Sequence, residues 1–408
     1  MSDEVAAKPP SIRQLAMPIY APTFLFSVGQ GAVIPIVALA AKDLGASVAV
    51  AGSIVALRGI GTLLFDIPAG AVVGRLGERK AMTLATTLLV VSLIGCIVST
   101  SVPVFALCMF LMGCGWSVWL LARLAYVTDV MPPTLRGRAL STLGGIMRIG
   151  NFVGPFLGAL LVTVHGVDAT YAIHIVLVIA GWAVLVSVPE PDGPGLDAAE
   201  VAAHGPIRFR AIARDHRHVF LTAGIGAMSL SVLRASRQAV LPLWASAIGL
   251  DAAAVGIIFG ISAAMDMTLF YPAGSASDRF GRKFVAVPCL TVLGAAFLLL
   301  PLTHSFLTIA AVGVLMGFGN GMGAGIVMTL GADFSPAIGR AEFLGVWRTV
   351  SDIGTAGGPL VAAAIAGVAT LGAASVAVGA LGIAGAAVVA LRMPEPLRRD
   401  PQVASTQP

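Results

Sequence analysis

Shifted by 204 residues, half its length, the chain falls into register with itself. Pro68-Ala69-Gly70 meets Pro272-Ala273-Gly274, and Arg75 and Gly77 meet Arg279 and Gly281. Gly113 and Gly115 meet Gly317 and Gly319. Asp129, Pro132 and Arg136 meet Asp333, Pro336 and Arg340, and Gly150, Gly154 and Pro155 meet Gly354, Gly358 and Pro359. Turn formers, helix breakers and charges record backbone geometry, so one structural plan is used twice. In a membrane protein, two like halves imply a site at their interface, opened by rocking one half against the other. That is the plan of a carrier.

Composition places the repeat in a bilayer. The chain is 57% apolar, 11% charged and holds 48 glycines, where a soluble domain carries roughly a quarter charged residues. About 20 apolar residues cross the hydrocarbon core as a helix. Twelve such stretches are read near 15–40, 48–70, 82–102, 104–128, 139–164, 171–188, 219–246, 252–274, 284–302, 306–330, 343–367 and 371–391. The expected fold is all-α, with twelve transmembrane helices in two pseudo-symmetric six-helix bundles. The bundles take residues 1–188 and 219–408, and a cytoplasmic linker, 189–218, joins them. The first span is read as uncleaved, because it is too long for a signal peptide and lacks a small-residue cleavage site.

The net charge of +5 does not point to nucleic acid, because its distribution follows the membrane. With both termini on one side, that side receives every Lys and Arg outside the spans except Lys42. The asymmetry places both termini in the cytoplasm and the chain in the cytoplasmic (inner) membrane as a multi-pass protein, with a monomer expected. The linker opens Pro189-Glu190-Pro191-Asp192-Gly193 and closes over Ile207–Arg217. Its closing part reads either as an interfacial helix burying Ile207 and Ile212 or as a solvated basic connection. The tail after Arg399 is expected to be disordered. Cys96, Cys108, Cys114 and Cys289 lie inside spans without metal-ligand spacing. They read as small packing residues, with no disulfide, metal or cofactor expected.

Two motifs carry a family resemblance. After the eighth span the chain reads Gly274-Ser-Ala-Ser-Asp278-Arg279-Phe-Gly281-Arg282-Lys283, and after the second Gly70-Ala-Val-Val-Gly74-Arg75-Leu-Gly77-Glu78-Arg79-Lys80. A small residue lets two helices approach and a glycine makes a tight turn. A carboxylate before that turn binds an arginine or a neighbouring helix N-terminus. The pattern resembles the Gly-x-x-x-Asp-Arg-x-Gly-Arg-Lys signature of the major facilitator superfamily. Here the second copy is complete, while Gly74 replaces the acidic residue of the first, with Asp66 or Asp129 as substitutes. In the fifth span Gly150-Asn-Phe-Val-Gly154-Pro155-Phe-Leu-Gly158 matches the Gly-x-x-x-Gly-Pro-x-x-Gly pattern of that superfamily's proton-exchanging exporters. The same glycines also read as ordinary small-residue packing around a proline bend. Gly29-Gln30-Gly31-Ala-Val-Ile-Pro35 resembles a further element of the twelve-span drug:proton antiporters. The fourth span departs from them, since Met109-Phe-Leu-Met112-Gly113 has methionine at both usual polar positions.

Ionisable residues inside spans cost about 2.5–3.5 kcal/mol each on insertion scales, so each needs a partner or a task. They are Arg58, Arg123, Arg148, Arg234, Arg237 and Arg348 against Asp66, Asp266 and Asp352. Asp129 and Asp333, at span mouths, are read as pairing with Arg136 and Arg340 or as capping helices. The resemblance sets span 2 beside span 11 and span 5 beside span 8. At about 1.5 Å per residue, Arg148 and Asp266 then lie about 13 and 12 Å from the cytoplasmic ends. Asp66 and Arg348 lie about 6 and 7 Å in, and Arg58 and Asp352 about 18 and 14 Å. Three opposite-charge pairs thus match in depth, with Asp266, Asp352 and Asp66 as candidate proton carriers. The pairs read equally as static struts between helices.

Arg234 and Arg237, one turn apart in span 7 without an obvious acidic partner, are candidates for a central cavity; Arg237 reads alternatively as snorkelling outward. The resemblance makes spans 1, 4, 7 and 10 line that cavity, which adds Gln30, Trp116, Trp119 and Asn320. No Ser-His-Asp set, metal motif or nucleotide loop is present, so no enzyme is expected. The expectation is a carrier exporting a small amphipathic organic compound, drug or metabolite, against protons by alternating access. The alternative is carriage of an organic anion through an arginine-lined cavity.

Overall fold

The computed structural model describes residues 15–188, 212, 214–336 and 340–396. Most of the 189–218 linker and the tail after Arg399 therefore lie outside the described residues. The described residues form helices α1 Ala21–Val33, α2 Val37–Asp43, α3 Val48–Leu76, α4 Glu78–Val98, α5 Val102–Val130, α6 Pro133–His165 and α7 Asp168–Ser187. They continue as α8 Ile225–Ala247, α9 Ala252–Phe280, α10 Arg282–Leu299, α11 Phe306–Met322, α12 Ile326–Phe334, α13 Arg340–Val368 and α14 Leu371–Arg392. A π-helical turn precedes α1 at Ala16–Tyr20, and another precedes α8 at Phe220–Gly224. Among the described residues eleven helical stretches, α11 and α12 taken together as one, are long and apolar enough to cross a membrane, and there are twelve when the bent pair Ala16–Val33 with Val37–Asp43 is counted as one span.

Two expected spans are not continuous helices. The first bends by 44° between α1 and α2, where Pro35 lacks the N–H that would continue the ladder. The tenth breaks between α11 and α12, with Gly325 at φ 76, a left-handed conformation that costs a side-chain-bearing residue roughly 1–2 kcal/mol. Apolar patterning detects neither break, because the hydrophobicity runs through both.

Contacts group the chain into two compact units, one within Met1–Ile36 and Ile60–Gly205, the other within Val37–Gly59 and Pro206–Pro408. In the first unit α1 packs on α6 and α7, and α4 on α5 and α7. In the second, the repeat-related helices make the same choices, α8 on α13 and α14, and α10 on α11 and α14. The segment α2 with the first part of α3 belongs to the second unit. There Lys42 Nζ donates to Ser246 Oγ at 2.8 Å, and a Cβ on Gly52 would sit 3.1 Å from that of Ala363.

The fifth-span glycines are a packing face. A Cβ on Gly150 would lie 3.0 Å from the Phe24 carbonyl oxygen, and one on Gly154 2.7 Å from Gly31 Cα. The repeat does the same, since a Cβ on Gly354 would lie 3.0 Å from Ser231 Cβ and one on Gly358 2.7 Å from the Val232 carbonyl oxygen. Van der Waals packing of small residues, the main cohesive term between helices in lipid, is thus built twice on one pattern.

Candidate functional site

The second unit holds a cluster of charges where α8, α9 and α11 meet. Its placement begins with glycines. On α11, a Cβ on Gly313 would lie 3.0 Å from Ile258 Cγ2, and one on Gly321 2.7 Å from the Asp266 carbonyl oxygen. Gly317, between them, faces Ser262. Steps of four residues on both helices bring one face of α9 against one face of α11 and set Asp266 beside the end of α11.

That end is where the helix breaks. In an unbroken helix the carbonyl of Asn320 would accept from the fourth following N–H, but the Ala324 N–H donates to Gly321 instead. Arg234, on α8, fills the gap. Its Nη2 donates to the carbonyls of Asn320 (3.2 Å) and Gly323 (2.9 Å), and its Nε to Asn320 Oδ1 (2.6 Å). A cation at a helix C-terminus also meets the negative end of the helix dipole. Arg237, three residues on, lies over Phe259 of α9 at 5.4 Å. The charges of Asp266 and Arg234 both act on Arg237, which therefore has a carboxylate within electrostatic reach. Cys289 feels the same two charges and is a free, buried thiol.

A discontinuous helix, a half-buried carboxylate and an arginine on the broken end thus meet in the second unit. The model of the Major Facilitator Superfamily matches residues 20–236 and again 224–408, one match for each half. The chain belongs to the major facilitator superfamily. Family and fold are those of multi-pass membrane transporters, not enzymes, and such transporters bind small-molecule substrates. An uncharacterized MFS-type transporter, YhjO of Bacillus subtilis (strain 168), is 23% identical over 335 residues, 79% of each chain. The drug efflux pump JefA of Mycobacterium tuberculosis is 30% identical over 122 residues, 29% of this chain and 24% of that one. A crystal structure of a POT family transporter with a thioalcohol-conjugated peptide superposes with a TM-score of 0.77 at 13% identity, covering 95% of this chain and 97% of that one.

The superfamily signature is built around a charge network at one end of the second unit. Gly281 takes φ 105 at the turn between α9 and α10. Arg282, only 7% exposed, donates to Asp278 (2.5 Å) and to Asp333 at the end of α12 (2.7 Å). Asp333 therefore pairs with the signature arginine rather than with Arg340. The sequence reading also missed Glu395, whose carboxylate accepts from the backbone N–H groups of Arg282 (2.7 Å) and Lys283 (3.0 Å). It caps α10 from beyond α14, too far along the chain for local spacing to reveal. In the first unit Gly70 begins the same signature, Gly77 makes the equivalent turn at φ 76, and Arg75 is exposed. Arg279 is exposed too, its guanidinium 5.2 Å from the Phe280 ring.

The other expected site residues divide between the units. Arg348 and Asp352, assigned by depth to different partners, bridge each other at 3.4 Å, one turn apart on α13. Arg58 is half-buried on the part of α3 belonging to the second unit. In the first unit, Asp66 accepts from the hydroxyl of Ser117 on α5. Arg136 donates to the Met131 carbonyl (2.9 Å). Arg148 on α6 and Gln30 on α1 are half-buried. Trp119 is 5% exposed and stacks on Phe26 at 4.3 Å, with Trp116 against the same ring at 5.3 Å. Phe26 was not among the expected residues, since one phenylalanine in an apolar span carries no distinguishing pattern.

Proposed function

We propose that this transporter exports a small amphipathic organic compound across the cytoplasmic membrane in exchange for protons, with both termini cytoplasmic. Asp266 is the proton carrier. The observation supporting this is a carboxylate on α9 packed against the end of α11, within electrostatic reach of Arg237, where Arg234 holds the broken helix. Ionised, Asp266 offsets part of the positive charge on α8. Protonated, it leaves two arginines mutually repelled, which weakens the hold of Arg234 on Asn320 and Gly323 and frees the span-10 break to bend. Coupling then needs no movement of Asp266 itself, only the loss of its charge. The drug-efflux relative supports export as the direction.

The test is accumulation in proteoliposomes under an imposed pH gradient, comparing cationic, neutral and anionic substrates. Asp266→Asn is expected to abolish gradient-driven accumulation while preserving substrate exchange without a gradient. Full proton-driven accumulation by Asp266→Asn would overturn the reading. A second reading, carriage of an organic anion, is favoured by the excess of Arg234 and Arg237 over Asp266. Transport confined to anions and lost in Arg237→Gln would establish it in place of drug export.

A further inference from the structure

The first unit contains a buried arginine that the coupling scheme does not use. Arg123 on α5 is 1% exposed. A guanidinium has five N–H donors, yet its contacts are few. Nη1 reaches Thr23 Oγ1 and Nη2 reaches Met147 Sδ, both at 3.4 Å, while buried Nε has no hydrogen-bond partner. Its Cζ lies 4.4 Å from the Trp119 ring centroid, a cation–π contact. An ordinary N–H···O bond is about 2.9–3.0 Å, so both contacts lie at the outer limit.

Arg123 forms part of the wall of a narrow cleft between the start of the first span, α4, α5 and α7. No Asp or Glu lines that cleft. Its walls are apolar, with Phe26, Met82, Val178 and Leu185 among them, and Thr23 and Thr86 add hydroxyls. Trp182 stands at the rim, 37% exposed, and donates to Thr83 Oγ1 at 3.2 Å across the α4–α7 seam. Around it Leu84, Ile179 and Val186 are exposed, which in a membrane protein is contact with acyl chains. Met82 lies four residues inside α4, about 6 Å along the helix. That is the depth at which a headgroup meets its hydrocarbon.

We infer that Arg123, Thr23 and Trp119 form a binding site for the acidic headgroup of a membrane-partitioned amphiphile, entered between α4 and α7. The guanidinium receives the carboxylate or phosphate, and the apolar walls receive the first part of the tail. Swinging the Trp182 ring from the rim opens the way. A buried cation with a neutral lining becomes a selective element, because an uncharged amphiphile gains the walls without the headgroup contact.

The test uses the whole protein in phosphatidylcholine nanodiscs, reading tryptophan quenching by brominated acyl chains. Three probes are compared with brominated phosphatidylcholine, namely brominated oleate, its methyl ester and brominated phosphatidate. Quenching beyond the phosphatidylcholine level by oleate but not the ester supports the site with a free amphiphile as occupant; excess quenching by phosphatidate supports it with a bilayer lipid. Arg123→Gln should weaken the acidic probe about tenfold or more and remove its stabilising shift in Tm, without lowering the Tm of the unliganded protein. Equal quenching by oleate, ester and phosphatidylcholine in the wild type would overturn the inference, whether or not the variant folds. An Arg123→Gln protein that binds the acidic probe unchanged would overturn it as well.

Discussion

Spans 4 and 10 occupy the same position in the two repeats, yet they meet an arginine in opposite ways. In span 4, α5 runs unbroken from Val102 to Val130, and Arg123 on it lies against Trp119. In span 10, the residue 204 positions after Trp119 is Gly323; there the helix breaks, and an arginine from another helix satisfies the freed carbonyls. Glycines that pack span 5 on span 1 recur with the same contacts between span 11 and span 7. The scaffold is therefore repeated where helices must touch, and the polar interior has diverged. Duplication preserved packing, which any substitution would disturb, and left the chemistry free to concentrate in one half.

The comparison is broken most forcefully at Arg234. Arg234→Ala strips the Asn320 side chain and two carbonyls of their donor and leaves Asp266 with one fewer cation. Three hydrogen bonds from a charged donor, about 1.5–3 kcal/mol each before discounting for their half-buried setting, are lost together, so a clear fall in thermal stability and loss of transport are expected. Arg123→Gln should show no such fall, since it removes a cation held by two long contacts. Equal destabilisation by both would mean that the two halves use their arginines alike.

Gly321 comes next. A Cβ there would lie 2.7 Å from the Asp266 carbonyl oxygen and 2.9 Å from Leu269 Cβ. Gly321→Ala must push α9 away, at roughly 1–3 kcal/mol for overpacking, and should displace the pH dependence of transport along with stability. Its repeat mate is Ser117, whose hydroxyl donates to Asp66. Ser117→Ala removes one hydrogen bond, about 1 kcal/mol, and is expected to leave the pH dependence where it was. Gly325→Ala is smaller again. Open space surrounds its Cβ position, so the cost is the left-handed backbone alone, roughly 1–2 kcal/mol. Its mate, Leu121, sits in unbroken helix and tolerates alanine conformationally.

The twelve spans, the duplication and the superfamily signature were legible because they rest on features with a fixed period or spacing. Hydropathy, glycine pairs and the Asp278–Arg282 spacing survive in one dimension. The break in span 10 was visible only as an alternation of glycines from Gly317 to Gly325, and such a run reads equally as tight packing. Both readings hold, since Gly317 and Gly321 pack while Gly323 and Gly325 break. Matching depths paired Asp352 with Arg58 and Arg348 with Asp66. Depth along a helix says nothing about the direction a side chain faces, nor about neighbours on the same helix such as Arg348 and Asp352, which bridge each other one turn apart. Thr23, Phe26 and Phe259 escaped for a related reason, because a threonine or phenylalanine becomes a partner for arginine only when another helix brings one.

The smallest effect sharpens the point on which the halves agree. Arg79 on α4 donates to the carbonyls of Leu185 and Val186 at the end of α7, and Lys283, its mate, donates to Ala390 near the end of α14 at 3.1 Å. Val186 and Ala390 are themselves mates, so this fastening is part of the repeated scaffold. The second unit then adds Glu395, whose two oxygens cap the first N–H groups of α10. Glu395→Gln keeps one acceptor oxygen and loses the charge that favours a helix N-terminus, for a cost of about 1 kcal/mol or less. Thermal unfolding should report that small loss while proton-driven transport keeps its pH dependence, because the cap lies outside the Arg234–Asp266 cluster. A shifted pH profile in Glu395→Gln would show instead that the signature end of the second unit and its interior charges act as a single electrostatic network. The contrast between repeated scaffold and diverged chemistry would then have to be redrawn along α10.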